Sequence, residues 1–520
     1  MTIPPPLEIE LKLALPPQQV DAFLKRMARR RSEPVQQALH TLYFDTPDFA
    51  LSAQGVALRV RRVGRRWLQT LKTEGERAGG LSRRVEFEMA VRQGVPDWGR
   101  FPPEALAYVP EALRDQLVPV FETRFHRTAW QIAGKRGARI EVALDVGEVR
   151  AGEASQPICE IELELKAGQP DALFDLALAW AAAFDCLPFD VSKAERGVRL
   201  AHGTVDAPVK SVPLALDGAM GVEDGFAAIC QACLAQFQAN LPGVLVSDDI
   251  EYVHQARVAL RRLRAALRLF RRVCVLPDEL LDGLRTLAAA FGPARDWDVL
   301  CGETLPAIAP HFPDAEAWQR GLQALEAHRA EVRLAMQDAL TQAHPGAWLL
   351  AFQRWLLQHG WRAVAQEQRL LQLSPLDAWA RRALQKGHRP IARGARDFGK
   401  LAAAQRHALR IAIKRQRYAA EFFQTLFPGR RQARYQAVLR DAQDSLGRAN
   451  DAHVAWGLLT AVHTTPHVLQ SVVDRSPLGP VDAGPMGQFV LGWLAAKLAE
   501  AANGESAGAV RDILKLKRDG

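Results

Sequence analysis

Near the start of the chain, Glu8-Ile9-Glu10-Leu11-Lys12 alternates charged and apolar residues with a period of two. In an extended strand that alternation sends both carboxylates and the ammonium to one face and Ile9 and Leu11 to the other. The same arithmetic applies to Arg59 and Arg61, to Arg84, Glu86 and Glu88, and to Glu160, Glu162 and Glu164. Clustered carboxylates are hard oxygen ligands that suit Mg²⁺ or Mn²⁺, while Arg and Lys bring donors and positive charge to phosphoryl oxygens. Both sets together point to phosphoryl chemistry. A single charged face is more simply the solvent side of an antiparallel sheet. Four such faces in one domain are better explained by a shared interior, where acids and bases must pair or hold ligands because unpaired buried charge is costly.

The elements that would position these groups follow from the same periodicity. Alternating segments bounded by Gly, Pro and charged turns predict strands near 7–15, 38–45, 56–63, 66–74, 81–91, 118–133, 138–149 and 157–166, with helices near 17–30, 104–117 and 170–184. Eight mainly antiparallel strands suffice to close a barrel, which removes exposed edges and creates an interior that side chains line. Leu58, Val60, Val85, Phe87, Ile161 and Leu163 then face outward under helices. Periodicity is lost around Pro208 and Pro213, so a first domain over 1–203 is followed by a linker at 204–221.

From residue 222 to about 515 the chain is rich in Ala, Leu, Arg and Gln at helical spacing, which predicts an all-α domain. It is internally duplicated. His254-x-x-Arg257-x-x-x-Arg261-Arg262-x-Arg264 returns as His407-x-x-Arg410-x-x-x-Lys414-Arg415-x-Arg417, and Gly292-x-x-Arg295-Asp296-x-Asp298 returns as Gly447-x-x-Asn450-Asp451-x-His453. At about 100° per residue, His254, Arg257, Arg261, Arg264 and Arg268 share an arc of roughly 80°. His407, Arg410, Lys414 and Arg417 repeat that stripe, so two copies folded together would form one basic groove for a polyanion. One such helix alone would read as a solvated face balanced by Asp296, Asp298, Asp444 and Asp451; the duplication argues against that. Arg suits phosphate through its planar two-donor fork, and the stripe lacks the interleaved aromatics that stack bases, which disfavours nucleic acid.

Composition agrees with this division. Of the 520 residues, 67 are Lys or Arg and 58 Asp or Glu, for a net charge of +9, and the excess falls after Val205. Six cysteines do not make a disulfide framework, and Cys230-x-x-Cys233 has no second pair for zinc. No basic start precedes an apolar run, and the apolar stretches near Ala177–Phe184 and Phe489–Ala496 are too short to span a membrane, so a cytoplasmic protein is expected.

In context, Glu8-x-Glu10-x-Lys12 resembles the signature of the CYTH superfamily, the triphosphate tunnel metalloenzymes. It is joined in the family's order by Tyr43-Phe44-Asp45-Thr46, Leu58-Arg59-Val60-Arg61, Thr70-Leu71-Lys72, Glu160-Ile161-Glu162 and Ser192-Lys193. The resemblance implies an eight-stranded tunnel in an α+β domain, with Mg²⁺ or Mn²⁺ on Glu8, Glu10, Glu160 and Glu162 and a triphosphate on Lys12, Arg59, Arg61, Lys72 and Lys193. Glu8, Glu10 and Lys12 are then the catalytic set, acting on a metal-activated water. Asp145 joins the metal ligands and Arg84 and Arg124 the phosphate ligands as further tunnel members, with Glu86, Glu88 and Arg127. Glu164 extends the Glu-x-Glu pair, leaving open which carboxylates reach metal.

The repeated His-x-x-Arg helices resemble the CHAD domain, a helical module associated with inorganic polyphosphate. The composite resembles bacterial inorganic triphosphatases. Hydrolysis of inorganic triphosphate to pyrophosphate and phosphate is therefore expected, with thiamine triphosphate hydrolysis, adenylyl cyclisation and a non-catalytic polyphosphate-binding protein as the alternatives.

Overall fold

The computed structural model describes residues 6–30, 32–363, 366–463, 483–502 and 507–516. The chain forms two compact units, residues 1–207 with 344–359, and residues 208–343 with 360–520. Among the described residues, no helix is long and apolar enough to cross a membrane.

The first unit contains all eight expected strands: β1 Leu7–Ala14, β2 Val35–Asp45, β3 Val56–Val63, β4 Arg66–Thr73, β5 Leu81–Val91, β6 Val118–Ala133, β7 Arg139–Ala151 and β8 Ala154–Ala167. Every pairing is antiparallel, in the order β1-β8-β7-β6-β2-β3-β4-β5, and β1 closes the barrel by pairing with both β8 and β5. Glu10 lies opposite Glu164 on one side of β1, and Glu8 lies opposite Arg84 on the other. The β3–β4 hairpin turns at Gly64, whose φ of +60° costs glycine least. A short strand at Glu76–Ala78 and another at Leu187–Pro188 add to the sheet.

Apolar residues face outward from this barrel and are covered. Leu11, Leu13, Ile140, Val142, Ile161 and Leu163 pack beneath helices Val20–Ala28 and Asp171–Phe184, in one cluster with Phe23, Trp130 and Trp180. On the opposite wall Leu58, Val60, Leu71 and Phe87 pack with Phe101, Ala105 and Val109. The helix expected at 104–117 is two single turns, Pro103–Leu106 and Glu111–Arg114. Pro110 removes a backbone donor and disfavours helical geometry at Val109.

The helix Lys193–Ala201, which the periodicity did not reveal, begins where the Ser192 hydroxyl accepts from the Glu195 amide at 3.1 Å. It seals one end of the barrel. Its Ala194 and Val198 pack on the interior-facing Tyr43, Phe121, Phe125, Val149 and Ile158, and Gly197 lies so close to the Phe121 ring that a Cβ there would fall 2.1 Å away.

The helix Pro345–Leu357 also belongs to this unit, although it falls in sequence among the helices of the second. Leu350 is fully buried in the cluster of Leu11, Leu13 and Trp180. The second unit is helical. The repeat places Ile250–Phe270 and Asp278–Val299 in the first copy and Ala403–Phe422 and Arg430–His463 in the second.

Leu350→Ala should destabilise the first unit by about 2–5 kcal/mol, the usual cost of a core cavity. Urea unfolding followed by tryptophan fluorescence checks this, and a midpoint unchanged from wild type would place Leu350 outside that core.

Candidate active site and polyanion groove

The barrel encloses a cavity of about 770 Å³ lined by Glu8, Glu10, Lys12, Arg59, Arg61, Lys72, Arg84, Glu86, Glu88, Arg127, Glu162, Glu164 and Lys193, among others. Strand parity puts all but Lys193 there, and Lys193 enters from the helix Lys193–Ala201. Glu8 accepts both oxygens' worth of contact from Lys72 Nζ, at 2.9 Å each, and the Arg84 Nε donates to it at 2.8 Å. Burial alone would raise the Glu8 carboxyl, but Lys72 and Arg84 outweigh it and hold it below its ordinary range. Arg84 also reaches Glu10 at 3.3 Å, and Lys72 reaches Glu86 at 3.0 Å.

Deeper in, Lys12 lies 3.3 Å from Glu162, 3.5 Å from Glu160 and 3.6 Å from Glu10. Burial would lower its ammonium, yet these carboxylates raise it. Lys193 is shared by Asp145 at 2.7 Å, Glu162 at 2.8 Å and Glu160, and Arg127 grips Asp145 with two bonds of 2.8 and 2.7 Å and also touches Glu162. Asp145 and Glu160 are almost wholly inaccessible. Oxygen atoms of Asp145, Glu160 and Glu162 all lie within 4.8 Å of one another, a hard-oxygen set that fits a divalent cation. Glu8 and Glu10 stand farther along the same wall, and Glu164 pairs with Lys166 at 2.6 Å, outside that trio.

Arg61 differs from the other bases. It is 8% exposed, its Nε donates to the Thr41 hydroxyl at 3.0 Å, and among the described residues no carboxylate forms an ion pair with it. Burial, and then Arg59 and Arg127, push its guanidinium down to about 9. Arg59 meets Glu86 only at 3.6 Å, and its Nε is buried without a hydrogen-bond partner. Burial would lower the Arg59 guanidinium, but Tyr43, Glu86, Glu88 and Glu8 raise it, so Arg61 is the under-compensated cation of the pair, a fit for an anion, and Arg59 offers its free Nε beside it.

Arg124 is corrected. It stands on the outer face, with its side chain 54% exposed, and pairs with Glu122 at 2.8 Å. Arg124 and Arg127 are three residues apart on β6, so they cannot share a face of an extended strand. Arg196, absent from the expected set, reaches Glu160 at 3.5 Å and follows Lys193 by three residues on one helix face. Tyr43 was read only as part of a motif. It stacks on Phe121 and lies opposite Arg59, and although burial would raise its phenol, Arg59, Arg61 and Lys193 draw it down. Its inward parity, shared with Thr41, was the available signal. Asp45 serves the fold: its carboxylate accepts from the amides of Thr46, Leu51 and Ser52 and starts the turn at Ala50–Ala53.

In the second unit the two predicted stripes converge. Lys414 is half-buried and pushed down to about 7, first by burial and then by Arg261, Arg410, Arg257 and Arg417. The Arg261 Nε donates to the Tyr418 hydroxyl at 2.5 Å, and Arg417 lies over the same ring at 4.5 Å. Tyr418 is 1% exposed, so it supports these guanidinium groups and offers no face for stacking a base. Arg410 donates to Asn450 at 2.9 Å, and its Nε has no partner. Arg264 and Arg268 are exposed and share their surroundings with Arg415; His254 is half-buried, and His407 is exposed. Asp296 and Asp451, the echoed acids, are the carboxylates felt by Arg257 and Arg410.

The CYTH domain family matches residues 6–198, and the CHAD domain family matches residues 228–460. The chain is a CYTH–CHAD protein. Its CYTH domain is 35% identical over 201 residues to the inorganic triphosphatase of Haemophilus influenzae, covering 37% of this chain and 54% of that protein. An uncharacterized protein of Mycobacterium tuberculosis is 28% identical over 330 residues, 59% of this chain and 61% of that one. The chain thus spans between about half and two thirds of the lengths of these relatives. The solved CHAD domain of the plant Ricinus communis is 31% identical and superposes with a TM-score of 0.51, covering 60% of this chain and 98% of that one.

Replacing Lys193 with Met should strip three lumen carboxylates of a shared partner and cost about 3–5 kcal/mol of stability without metal. Thermal unfolding with and without Mn²⁺ tests it: the ion should recover more stability in the variant than in wild type. An equal Mn²⁺ effect on both would remove Asp145, Glu160 and Glu162 from the metal site.

Proposed function

We propose that the CYTH lumen hydrolyses inorganic triphosphate to pyrophosphate and phosphate with Mg²⁺ or Mn²⁺, and that the CHAD groove binds inorganic polyphosphate. The observation that carries the first half is Arg61, a buried guanidinium at the lumen wall without a carboxylate partner among the described residues. It stands next to Arg59 in an interior whose remaining bases are paired with acids. Protein carboxylates and substrate phosphates compete for the same donors. On this reading, an entering triphosphate takes Lys12, Arg59, Arg61, Lys72, Arg84 and Lys193 as phosphate ligands, and the released carboxylates of Asp145, Glu160 and Glu162, with Glu8 and Glu10 beside them, hold the metal. A divalent cation so held neutralises phosphate oxygens and lowers the pKa of a bound water. The chain's own contribution is to align the triphosphate and to stabilise charge on the leaving pyrophosphate through Arg and Lys. The similarity to the Haemophilus enzyme supports the choice of inorganic substrate.

Phosphate release from inorganic triphosphate, with ATP and thiamine triphosphate in parallel, decides the activity. The inorganic substrate should be strongly preferred, and Glu10→Ala and Arg61→Ala should each cost about 100-fold or more in kcat/KM. Cyclic AMP from ATP would make the lumen a cyclase; no turnover of any triphosphate would leave a polyphosphate-binding protein.

The groove yields a second test. Lys414 sits at about 7 against an ordinary 10.5, because burial and four arginines oppose its charge. A polyanion favours the charged form and raises that pKa, so binding between those two values must take up a proton. Calorimetry with polyphosphate at about pH 8.5 in buffers of different ionisation enthalpy should show this uptake in wild type and its loss in Lys414→Met. Identical proton counts in the two proteins would place the polyanion elsewhere.

A further inference from the structure

The helix Pro345–Leu357 touches both backbone segments that hold Lys12 in place. The Lys12 amide donates to the Gly80 carbonyl at 2.9 Å, and the Lys12 carbonyl accepts from the Phe189 amide at 3.0 Å. Gly80 is in turn fixed by its own amide, which donates to Asp190 at 2.7 Å. The helix presses on the first segment through Gln353, which lies over Gly79 so closely that a Cβ on that glycine would fall 2.6 Å from the Gln353 Cγ. It presses on the second through Gly346, where a Cβ would fall 1.9 Å from the Cys186 carbonyl oxygen, one residue before Leu187–Pro188. Gly79 and Gly80 both have positive φ, +60° and +84°, and glycine moves freely between backbone regions, so their turn gains alternative conformations if its cover is removed.

The helix is itself held firmly. Arg354 forks onto Asp171 with two bonds of 2.6 Å and reaches Asp175 at 3.2 Å, while Gln358 adds a 2.5 Å bond to Asp171. Hydrogen bonding to Arg354 is the largest influence on the Asp171 carboxyl, which lies below its ordinary range. Leu350 plugs the core beneath. We infer that Gln353 and Arg354 are positioning residues for Lys12, so that the CYTH lumen is completed by a segment drawn from within the CHAD stretch of the sequence. The inference rests on the reading of Lys12 as a substrate ligand in the lumen. It assigns a function to a segment that carries no chemistry of its own, and it makes the geometry of one lumen cation depend on chain more than 330 residues away.

The test uses the full-length protein carrying Gln353→Ala and Arg354→Ala together, in the wild-type and Lys12→Ala backgrounds. Amide exchange of the peptide spanning Lys12 should quicken by about 10-fold or more, while exchange in Val56–Val63 stays unchanged. Turnover of inorganic triphosphate should fall about 10-fold in kcat/KM in the wild-type background and less than about 2-fold where Lys12 is already alanine. Arg354→Lys, which keeps charge but not the fork, should recover only part of the loss. Equal losses in both backgrounds, or unchanged exchange at Lys12 in a folded variant, would overturn the inference. Absence of turnover in the wild type would instead defeat the functional reading and leave the exchange result to decide the positioning role.

Discussion

Charge neutrality inside a closed barrel is the constraint on which the first domain depends. A strand sends alternate residues inward, and once β1 pairs with both neighbours no inward side chain can escape to an open edge. Ions removed from water cost several kcal/mol each unless they are paired. The interior therefore carries bases matched to acids: Lys72 and Arg84 on Glu8, Lys193 and Arg127 on Asp145, Lys12 between Glu160 and Glu162. On the proposed function the same pairs would serve as a template for a metal-bound triphosphate, since metal can replace the bases as partner of the acids and phosphate can replace the acids as partner of the bases. The substrate and its metal would exchange one neutral network for another.

Much of this was legible because strand parity is a strict rule. Glu8, Glu10, Lys12, Arg59, Arg61, Lys72, Arg84, Glu160 and Glu162 all fall on inward positions that could be counted from the sequence. Arg124 was misplaced because a family likeness selected it without the parity of its strand. Arg127, three residues on, has the inward position and grips Asp145. Lys193 and Arg196 lie on a helix that seals the barrel end, where a period of two says nothing and only the Ser192 cap and the i, i+3 spacing give a signal. The insertion of Pro345–Leu357 into the first unit was not legible at all. An amphipathic helix records that one face is apolar and leaves its partner unspecified.

The helical domain was legible by a different rule, repetition. Two stripes that alone would be solvated faces became a groove once both copies were seen, and the structure brings Arg257, Arg261, Arg410, Lys414 and Arg417 into mutual range. What repetition did not reveal is the consequence of one difference between the copies. The second stripe has Lys414 where the first has Arg261, and an ammonium yields its proton under the pressure of four neighbouring guanidinium groups far more readily than a guanidinium would. The echoed acidic positions supply the opposing charge, Asp296 for Arg257 and Asp451 for Arg410.

The two sites thus solve the same electrostatic problem in opposite ways. The lumen is enclosed, so it must carry its counter-charges within it, and the acids that keep it stable are also the groups that fit a divalent cation. The cationic stripes of the helical domain reach solvent at Arg264, Arg268 and Arg415, where mobile ions can screen cations that the fold leaves crowded together. Their repulsion falls on Lys414, and a bound polyanion would relieve it by displacing small counterions. An enclosed site with balanced charge suits a short substrate that must be oriented with its metal for reaction. An open site with excess positive charge suits a long chain held by its uniform charge, at any register along its length.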